Sequence, residues 1–165
     1  MIDLDFLKEW SMERYEDLPD FDIYIEQLLH IIDRQMEPFK DLDTYQPMTQ
    51  SMINNYVKNK ILTPPNRKKY NKNQLCVLIV ISFLKSVFSI NDIKKGVDLY
   101  LDDENYNTSY NKFCDFFEKS VKNIFFDNLD MDRGNRALFL ACNSIAAKLY
   151  VDNHFEFRNK EKNNL

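Results

Sequence analysis

Thr49-Gln50-Ser51-Met52-Ile53-Asn54-Asn55-Tyr56-Val57-Lys58-Asn59, continuing as Lys60-Ile61-Leu62-Thr63-Pro64-Pro65-Asn66-Arg67-Lys68-Lys69-Tyr70, is the stretch whose reading decides the architecture. The Thr49 hydroxyl is placed to accept from the exposed amides of a first helical turn, which predicts a helix of about ten residues running to Asn59. At about 100° per residue, Met52, Ile53, Tyr56 and Val57 gather on one side of that helix. Gln50, Ser51, Asn54, Asn55 and Lys58 occupy the other. This second face holds no acid and is rich in amide and hydroxyl groups, the side chains that pair with base edges or hold phosphate oxygens in a major groove. The same spacing also describes an ordinary amphipathic helix with a solvated, Asn-rich side.

Downstream, Ile61 and Leu62 read as the start of a short strand. Thr63-Pro64-Pro65-Asn66 must turn, and Arg67-Lys68-Lys69-Tyr70 returns as a basic, extended limb, so the segment reads as a small β wing. Arg67, Lys68, Lys69 and Lys72 are the cations placed for phosphate, although a basic loop tip also serves solubility. Asn71, with Gln74 three positions on, forms a box-like start for the next helix. From Leu75 to Phe88, 11 of 14 residues are apolar. That run contains Lys85 and is too short for a bilayer core of about 30 Å, so it reads as a central core helix.

Charge is distributed unevenly around this stretch. Residues 1 to 43 carry 13 acids and 4 bases, residues 44 to 91 carry 7 bases and no acid, and residues 92 to 165 carry 13 acids and 11 bases. An acidic chain thus keeps one purely basic segment, which gives a face able to attract a polyanion or to pack on the acidic first third of the same chain.

The 165 residues suffice for one domain with a core, or one domain with a helical appendage. Two glycines, Gly96 and Gly134, exclude dinucleotide-binding and Walker A loops. His30 and His154 form no metalloprotease pair, and Cys76, Cys114 and Cys142 lie too far apart for a zinc knuckle, so neither metal nor cofactor is expected. No nucleophile and base pattern is present, and the acid run Asp102-Asp103-Glu104 reads as a solvated loop, so no enzyme is expected. The odd cysteine count and the acidic first 15 residues, which do not form a signal peptide, point to a reduced, cytoplasmic compartment. Abundant Asn and Lys fit an AT-rich bacterial genome.

Elsewhere the spacing predicts helices over residues 2 to 15, 22 to 39 and 89 to 101. Phe113, Phe116, Phe117, Val121, Ile124 and Phe125 mark another, and Ala137, Leu138, Ala141, Ile145 and Leu149 mark a last one. These two form a helical hairpin over residues 102 to 155, for core completion or dimerisation. Residues 156 to 165 read as a frayed polar tail.

The string Met52-Ile53-Asn54-Asn55-Tyr56-Val57-Lys58-Asn59-Lys60-Ile61-Leu62, then Pro64-Pro65, Lys68-Lys69-Tyr70 and Phe88-Ser89-Ile90-Asn91-Asp92-Ile93, resembles the winged helix-turn-helix of MerR-like transcription regulators. More closely, the Met-Ile-Asn-Asn-Tyr stretch and the Lys-Lys-Tyr wing resemble the bacterial family called domain of unknown function 1836, over about residues 20 to 100. Asn54 stands where the MerR-like pattern has an arginine before the tyrosine. Lys60 stands where it has a glycine.

The resemblance implies an all-α fold: a MerR-like winged helix-turn-helix with a small β wing over residues 1 to 101, then the helical hairpin. It implies a regulator of double-stranded DNA, with Thr49, Gln50, Ser51, Asn54, Asn55 and Lys58 at the groove and Arg67, Lys68, Lys69 and Lys72 on phosphates. One short helix reads few bases, so a homodimer is expected. The competing expectation is a protein-interaction module on the same scaffold. Any small-molecule effector stays unidentified.

Overall fold

The computed structural model describes residues 2–101, 105–126 and 132–163; the acid run at residues 102–104 lies outside them. The described residues are mostly helical, with one two-stranded sheet. They fall into two compact units, residues 1–125 and 126–165.

The first unit is built around the most apolar segment. Helix α4 (Lys72–Leu84) is buried on nearly every side from Gln74 to Phe83, so it has no polar face to turn outward. Helices α2 (Ile25–Gln35) and α5 (Ile90–Tyr100) pack against it. Leu28 and Ile32 of α2 and Leu75, Leu78, Ile79 and Ile81 of α4 are at most 1% exposed. At such sites truncation to Ala costs about 2–5 kcal/mol. Both expected caps are present: Asn71 accepts from the Gln74 amide at 2.9 Å, and the Ser89 hydroxyl accepts from the Asp92 amide at 3.2 Å.

The N-terminal helix is shorter than its spacing predicts. Helix α1 spans Leu4–Glu9, capped by Asp3, and the chain then runs extended before a single 3-10 turn at Tyr15–Asp17. The backbone of this strap finds its partners on distant side chains. Met12 N–H donates to Glu118 at 2.8 Å, Glu13 N–H to Gln35 at 3.0 Å and Tyr15 N–H to Asn111 at 2.9 Å, while Tyr110 O–H donates to the Glu13 carbonyl at 3.0 Å. These bonds take the place of helical ones. Arg14 forks onto Glu118 and reinforces the strap. The helix expected over 22 to 39 likewise contracts to α2, with strand β1 (Ile23–Tyr24) before it and a 3-10 turn at Glu37–Phe39 after it, where Pro38 has no N–H to continue the helix.

Glu118, Asn111 and Tyr110 lie on α6 (Tyr106–Phe126), so α6 completes the first unit. The boundary expected after Leu101 therefore moves to residue 125. Tyr110 and Cys114 are fully buried, and Phe113 and Phe117 join an aromatic cluster with Trp10, Phe39 and Phe83. The second unit is α7 (Arg133–Asn163), so the tail expected to fray from Glu156 is helical as far as Asn163. No helix among the described residues is long and apolar enough to cross a membrane.

The three thiols separate sharply by environment. Cys76 and Cys114 are buried, and burial pushes the Cys76 thiol up to about 12 and raises Cys114 as well, whereas Cys142 on α7 is exposed. Iodoacetamide at neutral pH should therefore add a single label, on Cys142, to the native protein and three labels in denaturant. Fast native labelling of Cys76, read by peptide mass spectrometry, would contradict this packing.

Candidate nucleic-acid interface

Helix α3 (Gln50–Lys58) starts where Thr49 predicts, the threonine hydroxyl accepting from the Met52 amide at 3.2 Å. Its two faces divide as the spacing requires. Ile53 and Tyr56 are buried, Met52 and Val57 are half-buried, and Gln50, Ser51, Asn54, Asn55 and Lys58 are exposed with no acid among them. Asn59 donates its side-chain amide to the Asn55 carbonyl and side-chain oxygen at 2.8 and 3.1 Å.

The helix ends by a closed backbone motif. Lys60 N–H donates to Val57 C=O and Ile61 N–H to Tyr56 C=O, both at 3.0 Å. This is a Schellman closure, and it needs a left-handed residue at Lys60, whose φ is 57°. Glycine suits that position; lysine costs about 1 kcal/mol there. The closure also corrects the strand expected at Ile61–Leu62. Both residues are buried, but their N–H groups are turned back to Tyr56, at 3.0 and 3.4 Å, and cannot feed a ladder.

The wing is held differently from expectation. Its returning limb, β2 (Lys69–Tyr70), pairs antiparallel with β1, with Ile23 opposite Tyr70 and Tyr24 opposite Lys69. Its tip is a two-residue turn in which Asn66 and Lys69 exchange backbone hydrogen bonds at 3.0 and 2.9 Å. Both central residues are left-handed, with φ of 47° at Arg67 and 65° at Lys68. This is the mirror-image turn that ordinarily uses Asn-Gly. At its base, the Gln74 side-chain amide donates to Thr63 C=O at 2.8 Å and approaches Thr63 Oγ1 and Pro64 C=O at 3.2 Å.

The helix and the wing border one hollow of about 390 Å³, lined by Gln50 and Asn54 from α3, Pro65, Lys68 and Tyr70 from the wing, and Tyr24 to Glu26 at the start of α2. The two predicted groups of site residues thus meet. Lys58, Lys60, Arg67 and Lys68 are exposed and form no ion pair among the described residues. Lys69 lies over the Tyr24 ring, 4.9 Å from its centroid.

Lys72 departs from the expected role on phosphate. Its ammonium ion-pairs with Asp20 at 2.6 Å and lies 4.5 Å from the Tyr15 ring, with its side chain only 12% exposed. Lys85, the seventh cation of the acid-free stretch, donates to the Gln46 carbonyl, and burial lowers its pKa. Three residues that carry this arrangement were not foreseen as site residues. They are Lys60, whose signal is its place just past a helix end; Tyr24, which has none; and Gln74, foreseen only as a cap.

A family model described as a domain of unknown function (DUF1836) matches residues 13–114. No curated protein matches the chain, and no solved structure does.

Lys60→Gly removes a left-handed side chain at an exposed site and should stabilise the fold by roughly 0.5–1 kcal/mol in urea unfolding. A loss of stability would mean that the lysine makes a compensating contact.

Proposed function

The chain belongs to the DUF1836 family, and we propose that it is a DNA-binding transcription regulator with a MerR-like winged helix-turn-helix, acting by binding rather than by catalysis. In this reading α3 enters the major groove. Thr49 fixes the start of the helix, while Gln50, Ser51, Asn54 and Asn55 face base edges and Lys58 faces the backbone. Arg67, Lys68 and Lys69 meet phosphates beside the groove, and Lys60 joins them. Lys72 is left out, because Asp20 already neutralises it.

The observation that carries this reading is an amide-rich helix face that meets Lys68 of the wing across one hollow, with Lys58, Lys60 and Arg67 also exposed on the same helix and wing and without ion pairs among the described residues. Three of these cations, Lys60, Arg67 and Lys68, are the non-glycine residues with positive φ among the described residues. Cations kept where glycine or asparagine would be more stable mark positions where charge matters more than stability, as functional sites often do. A buried cationic face packed on the chain's own acids would not need them.

A homodimer completes the proposal, since paired half-sites multiply the few bases that one short helix can read. Leu138, Ile145 and Leu149 support α7 as the pairing surface: each is at least 63% exposed, and their spacing of seven and four places them in one stripe. A cytoplasmic location goes with this reading.

The test is charge reversal at the turn tip, Arg67→Glu with Lys68→Glu, where neither side chain packs on the core. Affinity for mixed-sequence duplex, measured by fluorescence anisotropy, should fall about 100-fold with an unchanged circular dichroism spectrum. Unaltered duplex affinity in the folded variant would refute the DNA reading and favour a protein-interaction module.

A further inference from the structure

At the far end of α4 from its Asn71 cap, about 20 Å along the helix axis, lies a second hollow. Its volume is about 460 Å³, within the range of small-molecule sites. It opens between the last turn of α4 and the loop after the 3-10 turn at Glu37–Phe39, and all of its lining belongs to the first unit.

The walls combine aromatic surface with one cation. Phe39, Phe83 and Phe117 line it as a mutually packed trio, with Phe83 and Phe117 centroids 4.5 Å apart and Phe39 edge-on to both at 6.1–6.2 Å. Such a trio accepts a flat or aliphatic body by dispersion and edge contacts. Lys85 lines the same hollow, and its ammonium donates to the Gln46 backbone carbonyl, a neutral acceptor. No carboxylate pairs with it among the described residues. Asp33, on α2, takes the Tyr45 hydroxyl at 2.7 Å and the Lys40 ammonium at 2.7 Å, and Asp41 and Asp43, which flank the lining residues Leu42 and Thr44, are exposed to solvent. A half-buried cation with only a neutral partner is undercompensated, and an anion brought beside it gains more than it would in open water.

We propose that this hollow is a binding site for a small monocarboxylate with an apolar, ring-sized body, its carboxylate on Lys85 and its body against Phe39, Phe83 and Phe117. One cation matches one negative charge. The aromatic floor excludes highly polar bodies, and the open side admits the ligand without unfolding. The proposal is independent of the duplex reading, because it involves none of the residues assigned to DNA.

The full-length protein is titrated with 2-naphthoate and, separately, with its neutral isostere 2-naphthamide, followed by calorimetry and by amide chemical shifts. Saturable naphthoate binding is expected, at least tenfold tighter than naphthamide, with shifts centred on residues 44–46 and 83–87. In Lys85→Met the preference for the acid should vanish while naphthamide binding persists. In Thr44→Trp, which leaves Lys85 in place and fills the mouth, binding of both should be lost. Equal binding of acid and amide, an undiminished acid preference in Lys85→Met, retained binding in Thr44→Trp, shifts centred elsewhere, or no saturation at millimolar naphthoate would each overturn the proposal.

Discussion

The side-chain amide of Gln74 ties the exposed surface to the core. Its carbonyl accepts from the Asn71 backbone at 2.8 Å, which closes the cap of α4, and its amide group reaches Thr63 and Pro64 at the base of the wing. Gln74 is 6% exposed, so these bonds form away from water, where an unmet partner costs about 1–3 kcal/mol. One residue therefore sets the start of the central helix and the departure angle of the wing together. With Ile53 and Tyr56 of α3 buried in the same core, helix and wing are held at a fixed spacing, which is what a rigid duplex would require of them.

Around that frame the chain spends stability on charge. Lys60, Arg67 and Lys68 each occupy the left-handed region at a cost of about 1 kcal/mol, against a net stability of about 5–15 kcal/mol for an ordinary domain. The cost is sustained because the surrounding backbone over-determines the conformation: the Schellman closure fixes Lys60, and the Asn66–Lys69 exchange fixes the turn. Acids elsewhere are handled in the opposite way. Asp20 takes Lys72, Glu118 takes Arg14, and Asp33 takes Lys40, whereas Lys58, Lys60, Arg67 and Lys68 on α3 and the wing form no ion pair among the described residues.

Much of this was legible because it is local. The Thr49 cap, the two faces of α3, the Asn71 box and the all-round burial of α4 follow from residues within a few positions of one another. What escaped reading depends on distant partners or on conformations without a residue signature. The strap at residues 10–15 is extended only because Glu118, Asn111 and Gln35, far away in sequence, take its N–H groups. The β1–β2 pairing joins residues 23–24 to 69–70, and no hydrophobic alternation announces two-residue strands. Left-handed glycines are readable; left-handed lysines and arginines are not. The Asp20 partner of Lys72 was hidden for the same reason as the strap.

The proposed contact between unpaired cations and phosphate is measured directly by the dependence of duplex affinity on salt. Lys58, Lys60, Arg67, Lys68 and Lys69 would release about five counterions, so log affinity plotted against log salt concentration should fall with a slope of about −4 to −5. A slope near zero, or no measurable duplex binding even at low salt, would contradict it.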